Sequence, residues 1–240
     1  MKHAHADDFG LDSSANNAIL ALLDDNHLDS LSLVTNLRGF TQAASNIPSL
    51  NVDVFLHFNI TEGKPLSAAR SVPSLIDDDG NFYNQKEMMK RCIRGAIEPN
   101  DVLDELQAQY RQALKAGTKI VGIDSHQHMH AFSPIAQVVV DFAESHNIQK
   151  VRSYKRVVTI GPSAIFIKTI YALLARVSGR GRLPVTWQIS SWRSYIMATW
   201  QDTRTYTGDV LVVVHPGTDY DRKEPLTQTL RRHFSHIKKK

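Results

Sequence analysis

Four short polar clusters each sit at or beyond the end of a candidate strand, and their residue types suit metal-assisted hydrolysis. Asp7-Asp8-Phe9-Gly10 lies near the start of the chain, and His57-Phe58-Asn59 follows Val52-Asp53-Val54-Phe55-Leu56. Asp124-Ser125-His126-Gln127-His128-Met129-His130 follows Lys119-Ile120-Val121-Gly122-Ile123, and His215-Pro216-Gly217 follows Val210-Leu211-Val212-Val213-Val214. Barrel enzymes collect their chemistry at the C-terminal ends of their strands, where such clusters would lie.

Each cluster has a bland alternative. Successive side chains of an extended segment alternate, so Asp7 and Asp8 can share a pocket only where the strand turns into Phe9-Gly10. One carboxylate could then bind a metal while its neighbour stays free as a base; a helix N-cap or Asx-turn is the competing explanation. His57 alone would suit a hydrogen-bonded core position. The run from Asp124 is harder to dismiss, because an extended stretch would send His126, His128 and His130 to one face. One carboxylate and two imidazoles form a facial set that leaves coordination positions open for water and substrate. Hydrolysis also needs a base for the water and an acid for the leaving group, and Asp7 and His215 are the available candidates. For His215, a strand end held by a turn is the alternative.

The elements that must carry these residues alternate strand and helix. Ser13-Ser14-Ala15-Asn16 opens a capped helix with Ile19, Leu20, Leu22 and Leu23 on its apolar stripe. Strands are expected at 31–36, 52–57, 119–123, 150–152 and 210–214, with helices at 98–116 and through Val138 to Ala143. This order implies a parallel sheet or (β/α) barrel forming one domain over residues 1–240. The residues before Asp7 are mostly polar, which predicts a short, frayed first strand and leaves His3 and His5 as extra candidate ligands. Residues 60–84 read as a long loop beside the site, and residues 164–182 as a basic amphipathic helix. That helix could pack on the barrel, meet a partner, or touch a membrane or lipid-linked substrate.

With 42% hydrophobic residues among 240, the chain can bury a sizeable core and is not disordered in composition. The net charge of +4 is diffuse and comes with no nucleic-acid motif, so nucleic acid is not expected as a partner. Cys92 is the single cysteine, which excludes an internal disulfide and fits a reducing compartment. The start of the chain has no apolar signal region and no apolar stretch is long enough to span a bilayer, so a cytoplasmic location is expected.

In these motifs the chain resembles the carbohydrate deacetylases of the YdjC family, which include chitooligosaccharide deacetylases and hopanoid-biosynthesis-associated members. The resemblance rests on Ala6-Asp7-Asp8-Phe9-Gly10-Leu11, His57-Phe58-Asn59-Ile60-Thr61-Glu62-Gly63-Lys64-Pro65-Leu66, the run from Asp124 to His130, and His215-Pro216-Gly217. Ser32-Leu33-Val34-Thr35-Asn36 and Pro73-Ser74-Leu75 also match. The resemblance implies a deformed (β/α) barrel that hydrolyses the N-acetyl group of an amino sugar in a glycan or oligosaccharide, and a homodimer. It implies that Asp8, His57 and His126 bind one divalent metal, magnesium or zinc, with Asp7 as general base and His215 as general acid. His128, His130, Arg152 and Asn36 are then candidates for substrate contact or for supporting the ligands, although Arg152 could equally be a salt-bridge residue. Two other functions remain open: a metallohydrolase of another ester or phosphoester, and a non-catalytic sugar-binding protein. Residues 157–207 carry no recognisable substrate-defining pattern.

Overall fold

A computed structural model describes residues 2–152, 157–158, 188–191 and 210–217. The strands are β1 (Lys2–Phe9), β2 (Ser30–Leu33), β3 (Asp53–Phe58), β4 (Ile120–Ser125), β5 (Lys150–Val151), β6 (Val157–Val158), β7 (Gln188–Ser191) and β8 (Val210–Val214). They form one sheet in the order β5-β4-β3-β2-β1-β8-β7-β6, and every pairing is parallel. Pairing of the first strand with the last is the closure that a barrel requires. Among the described residues no ladder joins β5 to β6, so the seam is open there and the barrel is deformed. The helices between strands are α1 (Ser13–Asp24), α2 (Phe40–Asn46), α3 (Gln85–Ile93), α4 (Pro99–Lys115) and α5 (Ile135–Ser145).

Register separates the two faces of the sheet. Ala4 pairs with Val212 and Ala6 with Val214, and all four belong to the main apolar core together with Ile19 and Leu22 of α1, Val102 and Leu106 of α4, and Val139 and Phe142 of α5. The alternate residues line the other face, where His5 pairs with Ser30, Ser32 with Phe55, Phe55 with Gly122, and His57 with Asp124. The barrel interior is therefore largely polar near its C-terminal end. Gly122 is needed there because a Cβ would lie 2.3 Å from the Phe55 ring.

The polar first strand is explained by this layout and is not frayed. β1 runs for eight residues at the centre of the sheet, and Ala4, His5, Ala6 and Asp7 are all buried. Its polar residues face a polar interior, while its alanines let the helices pack close. β2 ends at Leu33 rather than Asn36, and the cap of α1 is Asp12, which accepts from the Ala15 N–H at 2.9 Å. The basic helix expected at 164–182 lies outside the described residues. No helix among those described is long and apolar enough to cross a membrane.

Residues 59–84 are held against α4 by an unusual feature of that helix. Asp101, Glu105 and Gln109 are spaced four apart, so they share one face, and all are buried. Asp101 accepts from Ser74 N, Glu105 from Leu66 N and Ser67 N, and Gln109 both donates to and accepts from the Asn59 backbone. The excursion is thus a wall tied through its own backbone.

Candidate metal centre

The site begins with an irregularity at the end of β1. Ala6 pairs with Leu31 but Phe9 pairs with Leu33, so β1 carries one extra residue between these points. Such bulges re-aim side chains and are common beside active sites. Asp8 takes a φ of 71° within the bulge, and the break in alternation brings both aspartates into the barrel mouth. Gly10 follows at φ 98°, where a Cβ would lie 2.2 Å from the Val34 carbonyl oxygen. The buried Asn16 side chain fixes this turn, accepting from Gly10 N at 2.7 Å and donating to Gly39 O at 2.8 Å.

Asp8, His57 and His126 converge, each with one donor atom within 4.8 Å of the others, and all three are buried. Asp8 Oδ1 lies 2.9 Å from His126 Nδ1 and 3.3 Å from His57 Nε2. Burial alone would raise the pKa of Asp8, but its hydrogen bonds with His126 and His57 outweigh burial and hold it below the usual carboxylate range. Burial opposes charge on His57, yet Asp124 and Asp7 raise it to about 10. His126 is also raised, because bonds to Asp8 and Glu62 overcome its burial. His57 Nδ1 is 2.6 Å from Asp124 Oδ1, which leaves Nε2 facing the cluster. Orientation of a ligating imidazole by a carboxylate is a common second layer of metal sites.

A second group of donors, His5, Asp7 and Asp124, also meets within 4.8 Å. Here a protein cation is already present. The buried Arg152 donates from Nη1 to Asp7 Oδ2 at 2.7 Å and from Nη2 to Asp7 Oδ1 at 2.6 Å, and Nη2 lies 2.5 Å from Asp124 Oδ2. Arg152 is therefore a buried salt-bridge residue. His5 spans Ser30 Oγ at 2.6 Å and Ser32 Oγ at 2.8 Å, and Ser32 Oγ donates to Asp124 Oδ2 at 2.6 Å. Burial would raise Asp7, but the Arg152 charge and hydrogen bonds hold it well below the ordinary value. His215, just past β8 and 28% exposed, brings Nε2 to 3.5 Å from Asp7 Oδ2.

The three histidines after Asp124 do not alternate along an extended strand. β4 ends at Ser125, and Gln127 and His128 then take φ values of 52° and 64° within an irregular 3₁₀ segment. His126 reaches the cluster, whereas His130 turns back to Ser125 Oγ and the Arg152 carbonyl, 2.5 Å and 2.9 Å away. Burial lowers His130 to about 4, and burial with the Arg152 charge lowers His128 to about 3, so both are neutral at pH 7. Asn36 donates to Lys64 O and accepts from Asn59 Nδ2, which ties the turn after β2 to the loop. Ser32 and Asp124 are interior residues that sequence reasoning left without a role, and His5, an extra candidate ligand there, stands in the second donor group bonded to Ser30 and Ser32. The signal available for Asp124 was its place one strand-pair across from His57.

A solved structure shares the architecture, and several curated proteins are similar in sequence. A solved structure from Enterococcus faecalis V583, of proposed cellobiose-phosphate cleavage function, superposes with a TM-score of 0.69 over 95% of this chain and 84% of that one, at 16% identity. A carbohydrate deacetylase of Brevibacillus brevis is 33% identical over 147 residues, which are 60% of this chain and 56% of the relative. One from Xenopus laevis is 30% identical over 148 residues, 61% of this chain and 48% of the relative. The chain thus spans about half the length of the relatives it matches. The model of the YdjC-like protein family matches residues 4–237, and the chain belongs to that family.

Proposed function

We propose that this chain is a metal-dependent carbohydrate deacetylase acting on an N-acetylated amino sugar of an oligosaccharide or glycan. The observation that carries this is the buried convergence of Asp8, His57 and His126 beside an ionised Asp7, in a chain whose relatives are named carbohydrate deacetylases. The donor set fits a divalent ion. Two imidazoles and one carboxylate suit zinc or a neighbouring transition metal better than magnesium, which prefers oxygen ligands. Held there, the ion would supply Lewis acidity toward the acetyl carbonyl and the attacking water.

The remaining chemistry falls to the chain. Arg152 keeps Asp7 as a carboxylate, the form that can take a proton from water as its oxygen bonds to the acetyl carbon. His215, at the more open edge, gives a proton to the sugar nitrogen as the carbon–nitrogen bond breaks. The products are acetate and the free amine. His57 is held by Asp124 and does not exchange protons with substrate.

The test is acetate release from a panel of N-acetylglucosamine oligomers, using metal-stripped protein with single divalent ions restored. Turnover that needs the ion and is lost in Asp8→Ala and His126→Ala supports the reading. Bound metal with no acetate from any glycan, alongside turnover of an ester or phosphoester, overturns it.

A further inference from the structure

Resting on the metal reading of Asp8, His57 and His126, we infer that Glu62 is a positioning residue that fixes which nitrogen of His126 meets the metal. His126 has both ring nitrogens engaged: Nδ1 lies 2.9 Å from Asp8 Oδ1, and Nε2 lies 3.2 Å from Glu62 Oε2. Both partners are carboxylates, which only accept, so without an ion both nitrogens carry protons. An ion held by Asp8, His57 and His126 would take the place of the Nδ1 proton, while the Glu62 contact keeps the proton on Nε2. His57 uses the opposite arrangement, with its Nδ1 proton held by Asp124 and Nε2 facing inward. The two imidazoles therefore present unlike nitrogens to one ion, each with its own carboxylate behind it.

Glu62 is built for this task rather than for ligation. It stands outside the three-residue donor cluster, and its side chain is about half exposed. Its backbone is pinned on both sides by the buried Asn59, whose Oδ1 accepts from Glu62 N at 3.2 Å and whose Nδ2 donates to Glu62 O at 2.8 Å. Asn59 is fixed in turn by Gln109 of α4. The carboxylate behind His126 is thus tied to the loop wall, whereas the one behind His57 belongs to a barrel strand.

Two measurements test this on the full chain. Ring ¹⁵N spectra of the zinc-loaded protein should show His126 protonated at Nε2 and coordinated through Nδ1. Zinc affinity, measured by competition with a chromophoric chelator, should fall about 10–100-fold in Glu62→Ala. Glu62→Gln, whose amide oxygen still accepts from Nε2–H, should lose less. Coordination through Nε2, or an affinity in Glu62→Ala within about twofold of the parent, overturns the inference. Failure of the parent chain itself to take up zinc, manganese or cobalt would instead remove the metal reading beneath it.

Discussion

Replacing Arg152 with methionine should destabilise the protein by an amount that grows with pH. Arg152 is buried and bonds both oxygens of Asp7, which is itself buried, and it also contacts Asp124. Asp124 keeps a close partner in His57 at 2.6 Å, whereas Asp7 keeps only the longer contacts to His5 at 3.2 Å and His215 at 3.5 Å, so Asp7 is the carboxylate that loses most. Breaking a buried pair by removing one partner costs about 3–5 kcal/mol, because the remaining charge loses its counter-ion without regaining water.

The pH dependence follows from the direction of the Asp7 shift. In the parent its folded pKa is depressed, so its contribution is complete above the unfolded value near 3.8 and is lost only as pH falls below that. Between pH 5 and 7 this group gives the parent no slope. Without Arg152, burial is left as the dominant influence and drives the folded pKa upward. Asp7 then carries a proton in the folded state that the unfolded chain lacks, and stability falls by up to about 1.4 kcal/mol for each pH unit gained. Urea unfolding of both proteins in chelator, at pH 5, 6 and 7, should show the gap widening with pH. A gap that is constant across this range, or below about 1 kcal/mol at pH 7, would refute the assignment of Arg152 as the counter-ion of Asp7.

Three further outcomes follow from the same structure. His215→Ala should lower kcat for acetate release by about 10²–10⁴-fold with little change in the melting temperature, since the side chain is partly exposed and sits beyond β8; equal activity would exclude it as the proton donor. Gly122→Val should cost about 1–3 kcal/mol in denaturant unfolding, because its Cβ would enter the space of the Phe55 ring. Gln109→Leu leaves the N–H and carbonyl of Asn59 without their partners at about 1–3 kcal/mol each, and should speed limited proteolysis within residues 60–84.

Much of the framework is visible in the sequence because burial writes itself into apolar runs. β8 matches its expected bounds, α4 lies within one residue at each end, and β3 and β4 follow their apolar patterns with shifted ends. β1 is different in kind. Its outward residues are alanines and its inward ones are His5 and Asp7, so a strand buried on both sides looks like a polar segment. The same concealment affects the site. Asp8, His57 and His126 betray themselves by residue type and by lying at strand ends. The value of Asp124 depends on its register opposite His57, and that of Arg152 on a partner 145 residues earlier, neither of which leaves a local mark. The left-handed pair Gln127-His128 shows the limit of period-two reasoning, since it turns His130 away just where an extended chain would have aligned it.

The charge balance of the barrel mouth explains why two donor clusters of similar composition should differ in use. Asp7, Asp8 and Asp124 are all buried, and a single guanidinium, Arg152, lies among them. With neutral imidazoles this leaves two negative charges that need compensation. Arg152 offsets one of the two carboxylates of the His5–Asp7–Asp124 group, so one charge remains there and one at Asp8, with His57 between Asp124 and Asp8. In the metal-free protein the deficit is met by protons, which is why His57 is raised to about 10 and His126 is raised as well. A divalent ion supplies the same charge, but it needs the lone pairs that those protons occupy. Zinc uptake near pH 7 should therefore release at least one proton per ion. Calorimetric titration in buffers of unlike ionisation enthalpy reads this directly, and uptake without proton release would mean that the imidazoles are not the ligands.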